Sequence, residues 1–137
     1  MIVLDSSFII AYHNTRDVHH AAAKPIMEEV VSGKWGHATL LEYVFLEVVT
    51  VLLARRGLEV ASNVASILLQ ARELEFVPCS DLFLDAFETF RNQRNTKLSF
   101  TDSAIVTAVS REKGGVVATF DREFAQVAGI AVVPAMK

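Results

Sequence analysis

Short apolar runs alternate with longer amphipathic ones along the chain, and the two periods predict different elements. Ile2-Val3-Leu4 is a β-rich run followed by Ser6 and Ser7, two residues suited to cap a first helix that extends to about His13. A second helix is expected from about Val18 to Val31, stopping near Ser32-Gly33, with a possible second strand over Lys34 to Thr39. Leu40 to Arg56 is long enough for a buried helix that stops at Gly57, and Glu59 to Glu73 reads as its antiparallel partner. Phe76-Val77-Pro78 is a third strand candidate. Asp81 to Arg94 predicts a helix, Asn95 to Phe100 a loop, and Thr101 to Lys113 a further helix closed by Gly114-Gly115. Val116 to Thr119 then reads as a fourth strand, Arg122 to Ala128 as a last helix and Ala131-Val132-Val133 as a fifth strand. Strands separated by helices imply an α/β protein with parallel pairing and helices on both faces of the sheet.

Composition narrows the function classes. A chain of 137 residues suits one domain spanning residues 1–137, with a real core and no need of disulfides. With 52% hydrophobic residues, 6 Gly and 3 Pro, it is expected to fold rather than stay disordered. The single cysteine, Cys79, excludes an internal disulfide and any cysteine-based zinc site, and suits a reducing cytoplasm; its expected role is a small apolar filler. The amino terminus has no basic region and meets Asp5 after four residues, unlike a signal peptide. The most apolar run, Leu40 to Ala54, is interrupted by Glu42 and Glu47 and falls short of the roughly 20 residues that span a bilayer. A soluble, cytoplasmic protein with no membrane partner is the expectation. A net charge of -3 argues against a general duplex-coating protein, which needs many phosphate-neutralising cations. An enzyme that grips a few phosphates through a bound metal stays compatible with it.

Four acids stand where ordinary surface charge does not explain them. Ligands of an open parallel sheet bind beyond the carboxyl ends of the strands, and Asp5 and Asp121 each follow an apolar strand and precede a helix. Helix capping is the competing explanation for both. Asp102, in Ser99-Phe100-Thr101-Asp102, fits a capping box, yet it shares a helical face with Ile105, Val106 and Val109. Glu47 sits among aliphatic neighbours, where a carboxylate costs several kcal/mol unless a cation or a proton compensates it. Glu42 has the same surroundings, and periodicity does not choose between the two; one of them could stand at a helix start or face a partner subunit. A divalent cation held by oxygen ligands, Mg²⁺ or Mn²⁺, accounts for such acids together, because it relieves their mutual repulsion.

Read in order, these segments resemble the PIN domain, in particular the toxin nucleases of VapBC toxin–antitoxin pairs. Met1 to Ser7 looks like the opening strand and first catalytic Asp, Asp5. Glu47 to Gly57 is similar to the segment with the family's Glu, which places that role on Glu47 over Glu42. Leu98 to Val106 resembles the third acidic motif, with Asp102, and Ala118 to Phe124 the fourth, with Asp121 and with Thr119 as a polar helper. The resemblance implies a three-layer α/β/α sandwich around a central, mostly parallel sheet of four or five strands. It also implies Mg²⁺ or Mn²⁺ held by the four acids, endonucleolytic RNA cleavage, a homodimer and a cognate antitoxin.

Around this core of acids, Ser6, Ser7 and Thr119 are expected to donate hydrogen bonds to acids or phosphate, or to serve as ordinary caps. Arg91, Arg94 and Lys97 form a basic stretch that could follow the RNA backbone or simply end a solvated helix. His13, His19, His20 and His37 lack paired ligand spacing and are expected at the surface or in loops, and Trp35 in packing. The apolar surplus of Leu40 to Glu73 suggests an intersubunit surface. Two rivals remain: a phosphoaspartyl enzyme, disfavoured because Ser7 stands where a second Asp is needed, and a catalytically silent PIN-like module that binds RNA or protein.

Overall fold

The computed structural model describes residues 1–136. Its centre is a five-stranded sheet in which every neighbouring pair is parallel. The strands are β1 (Ile2–Leu4), β2 (Ala38–Leu41), β3 (Leu74–Val77), β4 (Val116–Ala118) and β5 (Ala131–Val133), in spatial order β3-β2-β1-β4-β5. Six α-helices are α1 (Ser6–His13), α2 (His20–Val31), α3 (Glu42–Arg56), α4 (Leu58–Gln70), α5 (Phe83–Arg91) and α6 (Phe100–Ser110). Short 3₁₀ turns at Ser80–Leu82 and Arg122–Gln126 complete the described chain.

Parallel strands need crossovers, and crossovers are right-handed, so the strand order sets the layers. From β1 through β2 to β3 the chain steps outward in one direction and lays α1 to α4 on one face. The next crossover runs back past β2 and β1 to β4, which puts α5 and α6 on the other face. The result is the expected α/β/α sandwich. β1, Leu40, Leu41, Phe8, Ile9 and Ile105 are fully buried between its layers. The direction of winding reverses between β1 and β4, so the two strands' carboxyl ends open a crevice.

Several boundaries differ from the sequence reading. The second strand lies at Ala38–Leu41, not Lys34 to Thr39, because Gly33 and Gly36 both adopt positive φ and close a turn with a Gly36 N–H to Gly33 C=O bond of 3.0 Å. Leu40 and Leu41 pair with Phe76 and Val77 instead of opening a helix, since an all-apolar run serves a doubly covered strand as well as a buried helix. Glu42 consequently begins α3. The helix expected over Asp81 to Arg94 is shortened to Phe83–Arg91 behind a 3₁₀ turn, and Arg122 to Ala128 forms only a 3₁₀ turn at Arg122–Gln126. Ser6 and Ser7 are not caps; both lie inside α1, and Asp5 occupies the N-cap position without making a side-chain capping bond.

Candidate active site

Asp5 leaves β1 at the crevice, where its N–H bonds the Ala118 carbonyl at 3.0 Å and fastens it to the end of β4. Its carboxylate is 2% exposed and would be costly there without donors. Two hydroxyls supply them. Ser7 Oγ donates to Asp5 Oδ2 at 2.8 Å and Thr119 Oγ1 donates to the same oxygen at 2.7 Å. Each hydroxyl also accepts from the backbone, Ser7 Oγ from the Phe120 N–H at 3.0 Å and Thr119 Oγ1 from the Asp121 N–H at 2.9 Å. An ionised carboxylate has no proton to give, so both hydroxyls donate to Asp5 and accept from those amides with a lone pair. The β4 end, including the approach to Asp121, is thereby positioned by the Asp5 carboxylate.

Ser6, on the first turn of α1, donates to Glu47 Oε1 and lies 3.5 Å from Asp5 Oδ1. With one proton to give, it serves Glu47, so Asp5 Oδ1 has no close side-chain donor. Glu47 reaches this point from α3, half-buried, and is the acid that faces Asp5. Glu42, about a turn and a half earlier, faces elsewhere: its Oε1 accepts the Cys79 N–H at 2.9 Å and ties the start of α3 to the end of β3.

Asp102 arrives on the first turn of α6. The capping box is real, with Ser99 Oγ accepting the Asp102 N–H at 3.0 Å and Asp102 Oδ2 accepting the Ser99 N–H at 3.1 Å. The same side chain also feels the crevice. Burial, with the charges of Asp5 and Asp121 adding to it against the relief from the Ser99 N–H, pushes its pKa up to about 6. Burial likewise raises Asp5, opposed by the Thr119, Ser7 and Ser6 hydrogen bonds and helped by the charge of Glu47. Asp121 caps its 3₁₀ turn by accepting the Glu123 N–H at 3.0 Å. Capping and electrostatic coupling therefore coexist at Asp102 and Asp121.

The donor set suits a hard divalent cation: it consists of carboxylate oxygens, and Asp5 and Asp102 are pushed toward protonation by burial and by neighbouring negative charge. As placed, each acid is engaged with the chain's own donors, and among the described residues no three His, Cys, Asp or Glu side chains form a ready metal cluster.

Of the basic residues, Lys97 is exposed and its backbone N–H bonds the Glu123 carboxylate at 2.9 Å, which places it next to the Asp121 turn. Arg94 is exposed as well, whereas Arg91 pairs with Glu88 at 3.1 Å and lies over the Phe87 ring. Trp35 packs as expected, its Nε1 donating to Glu29. Cys79 is buried. His13 is half-buried and lowered in pKa by burial. Periodicity does not single out Phe120, yet its ring stacks on His19 at 4.4 Å and 3°. The available signal is position, an aromatic between Thr119 and Asp121.

The PIN domain family model matches residues 2–130. Among solved structures, VapC20 of Mycobacterium tuberculosis, a toxin that cleaves the sarcin–ricin loop, superposes with a TM-score of 0.82 at 25% identity, over 96% of this chain and 97% of that one. The PAE2754 protein of Pyrobaculum aerophilum shares the fold, with a TM-score of 0.57 at 20% identity over 96% of this chain and 83% of that one. No curated protein matches the sequence. With the family match running through nearly the whole chain, this protein belongs to the PIN domain family.

Proposed function

We propose that the chain is a metal-dependent endoribonuclease, the toxin component of a type II toxin–antitoxin pair. The observation that carries the reading is the buried Asp5 carboxylate at the β1/β4 crevice, coupled by charge to Glu47 and Asp102, with Asp102 coupled in turn to Asp121. The likeness to a toxin that cleaves the sarcin–ricin loop supports RNA as the substrate class and a cognate antitoxin as a partner. A cytoplasmic setting suits a lone buried thiol.

Asp5, Asp102 and Asp121, with Glu47, would hold Mg²⁺ or Mn²⁺. Such an ion, when bound, lowers the pKa of a water and stabilises charge on phosphoryl oxygens. The chain's own residues do the positioning. Ser7 and Thr119 hold Oδ2 of Asp5, and Oδ1 is met by Ser6 Oγ only at 3.5 Å. Ser6 orients Glu47, whose carboxylate can steer a water or accept its proton. Lys97 and Arg94 offer exposed cations for the RNA backbone; Arg91 would first have to leave Glu88.

The alternative, a catalytically silent module that binds RNA or protein, draws on the acids' engagement with internal donors and the lack of a ready metal cluster among the described residues. Incubation of a mixed RNA pool with Mg²⁺, Mn²⁺ or EDTA separates the two. The wild type should cut only with metal, and Asp5→Asn should fall to background. Cutting that persists unchanged in Asp5→Asn, or no cutting by the wild type with either ion, overturns the proposal.

A further inference from the structure

The ribonuclease reading leaves a physical difficulty: a chain of net charge -3 that gathers four acids at its site repels the phosphates it must approach. Beside those acids lies a surface of different chemistry. The Phe120 ring follows Thr119 and precedes Asp121, so backbone connectivity alone holds it within one residue of two site positions. Its Phe8 neighbour, at 6.2 Å and 24°, anchors it to the core, and His19 lies nearly parallel to it at 4.4 Å. His19 is exposed, whereas Phe120 is only half-buried. Both rings line a cavity of about 220 Å³ whose wall also includes Arg122, with Pro134 and Met136 on an apolar side.

We propose that His19 and Phe120 form a stacking platform for an unpaired RNA base next to the scissile phosphate, with Arg122 at the rim; this rests on the ribonuclease reading above. Every base has a π-face, so an aromatic pair grips single-stranded RNA without drawing on phosphate charge. That suits a site whose own charge is negative. Stacking also survives added salt, which weakens phosphate contacts by restoring the counterions they release. Arg122 adds a planar cation able to meet either a base face or a phosphate oxygen. The platform fixes the strand on the Asp121 side of the crevice, so it sets which nucleotide lies beside the cut.

The test uses full-length Asp5→Asn protein in EDTA, so that binding is read without cleavage. A single abasic position is walked through a short single-stranded RNA, and 2-aminopurine is then placed where the loss is greatest. At one position, removal of the base should weaken binding roughly 5- to 150-fold, the range that base–aromatic stacking supports. The 2-aminopurine should be quenched there, and both effects should persist at raised salt. Adding His19→Ala or Phe120→Leu should abolish both effects, while His19→Phe retains them. Indifference to the abasic site at every position overturns the platform. So does a His19→Ala protein that melts at lower temperature but still discriminates the base, since that outcome makes the stack a purely structural clasp. Base-dependent binding with no cleavage by the wild type would keep the platform and overturn the ribonuclease reading; cleavage without base dependence would do the reverse.

Discussion

Asp102 shows how one carboxylate can satisfy two demands at once. At the third position of α6 it reaches back to the Ser99 N–H, and the same first turn points it toward Asp5 and Asp121. Its folded-state pKa of about 6 stands above the ordinary 3.8, so the folded protein holds this proton more tightly than the unfolded chain does. The stability it contributes is complete below the unfolded value and is lost as the pH rises through the folded one. In Asp102→Asn the side-chain carbonyl can still accept from Ser99, but the titration is gone. Melting in EDTA should therefore show Asp102→Asn gaining on the wild type between pH 4 and 7. A variant that melts lower at every pH would mean that capping outweighs repulsion.

At the scale of elements, α3 decides which of two similar glutamates enters the crevice. Both have aliphatic neighbours in the sequence, and only the end of β2 at Leu41 places Glu42 at the helix start. There it accepts the Cys79 N–H, while Glu47, about a turn and a half on, meets Ser6. Glu42→Ala should cost about 1.5 kcal/mol of stability in urea melts, the size of a hydrogen bond to a charged group, and should leave RNA cleavage unchanged. Glu47→Gln should do the opposite, losing cleavage with little change in stability. Equal effects from the two substitutions would refute this division of roles. The strands were legible wherever β-rich residues ran between turn signals, as in β1 and β5. At Leu40-Leu41 the period carries no information, because a strand covered on both faces is apolar at every position.

At the scale of the whole molecule, several large apolar side chains stay exposed. Leu46 and Leu53 on α3 are 54% and 49% exposed, and Phe83 and Leu84 on α5 are 50% and 74% exposed. Large apolar side chains left exposed are a usual mark of an interface, and the homodimer that the family resemblance implies would cover part of them. Sedimentation at micromolar concentration should give a dimer, and Leu84→Glu should weaken it; a wild type that stays monomeric would count against the assignment. Among the described residues no helix is long and apolar enough to cross a membrane, so these side chains are not part of a helical span.

The amino-acid order by itself determined the alternation of strands and helices, hence a parallel sheet covered on both faces. It also drew attention to Asp5, Asp102 and Asp121, each with helix capping as a competing explanation, and to Glu42 and Glu47 together, between which only the family resemblance chose. Tertiary structure alone decided the rest. Strand order β3-β2-β1-β4-β5 put Asp5 and Asp121 at one crevice, and the Ser7 and Thr119 hydroxyls became partners of Asp5 across more than a hundred residues of chain in the case of Thr119. The pairing of His19 with Phe120 is of the same kind. Periodicity reports only which side of an element faces the core, whereas contacts between distant segments follow from crossover direction and strand order, which no local pattern encodes.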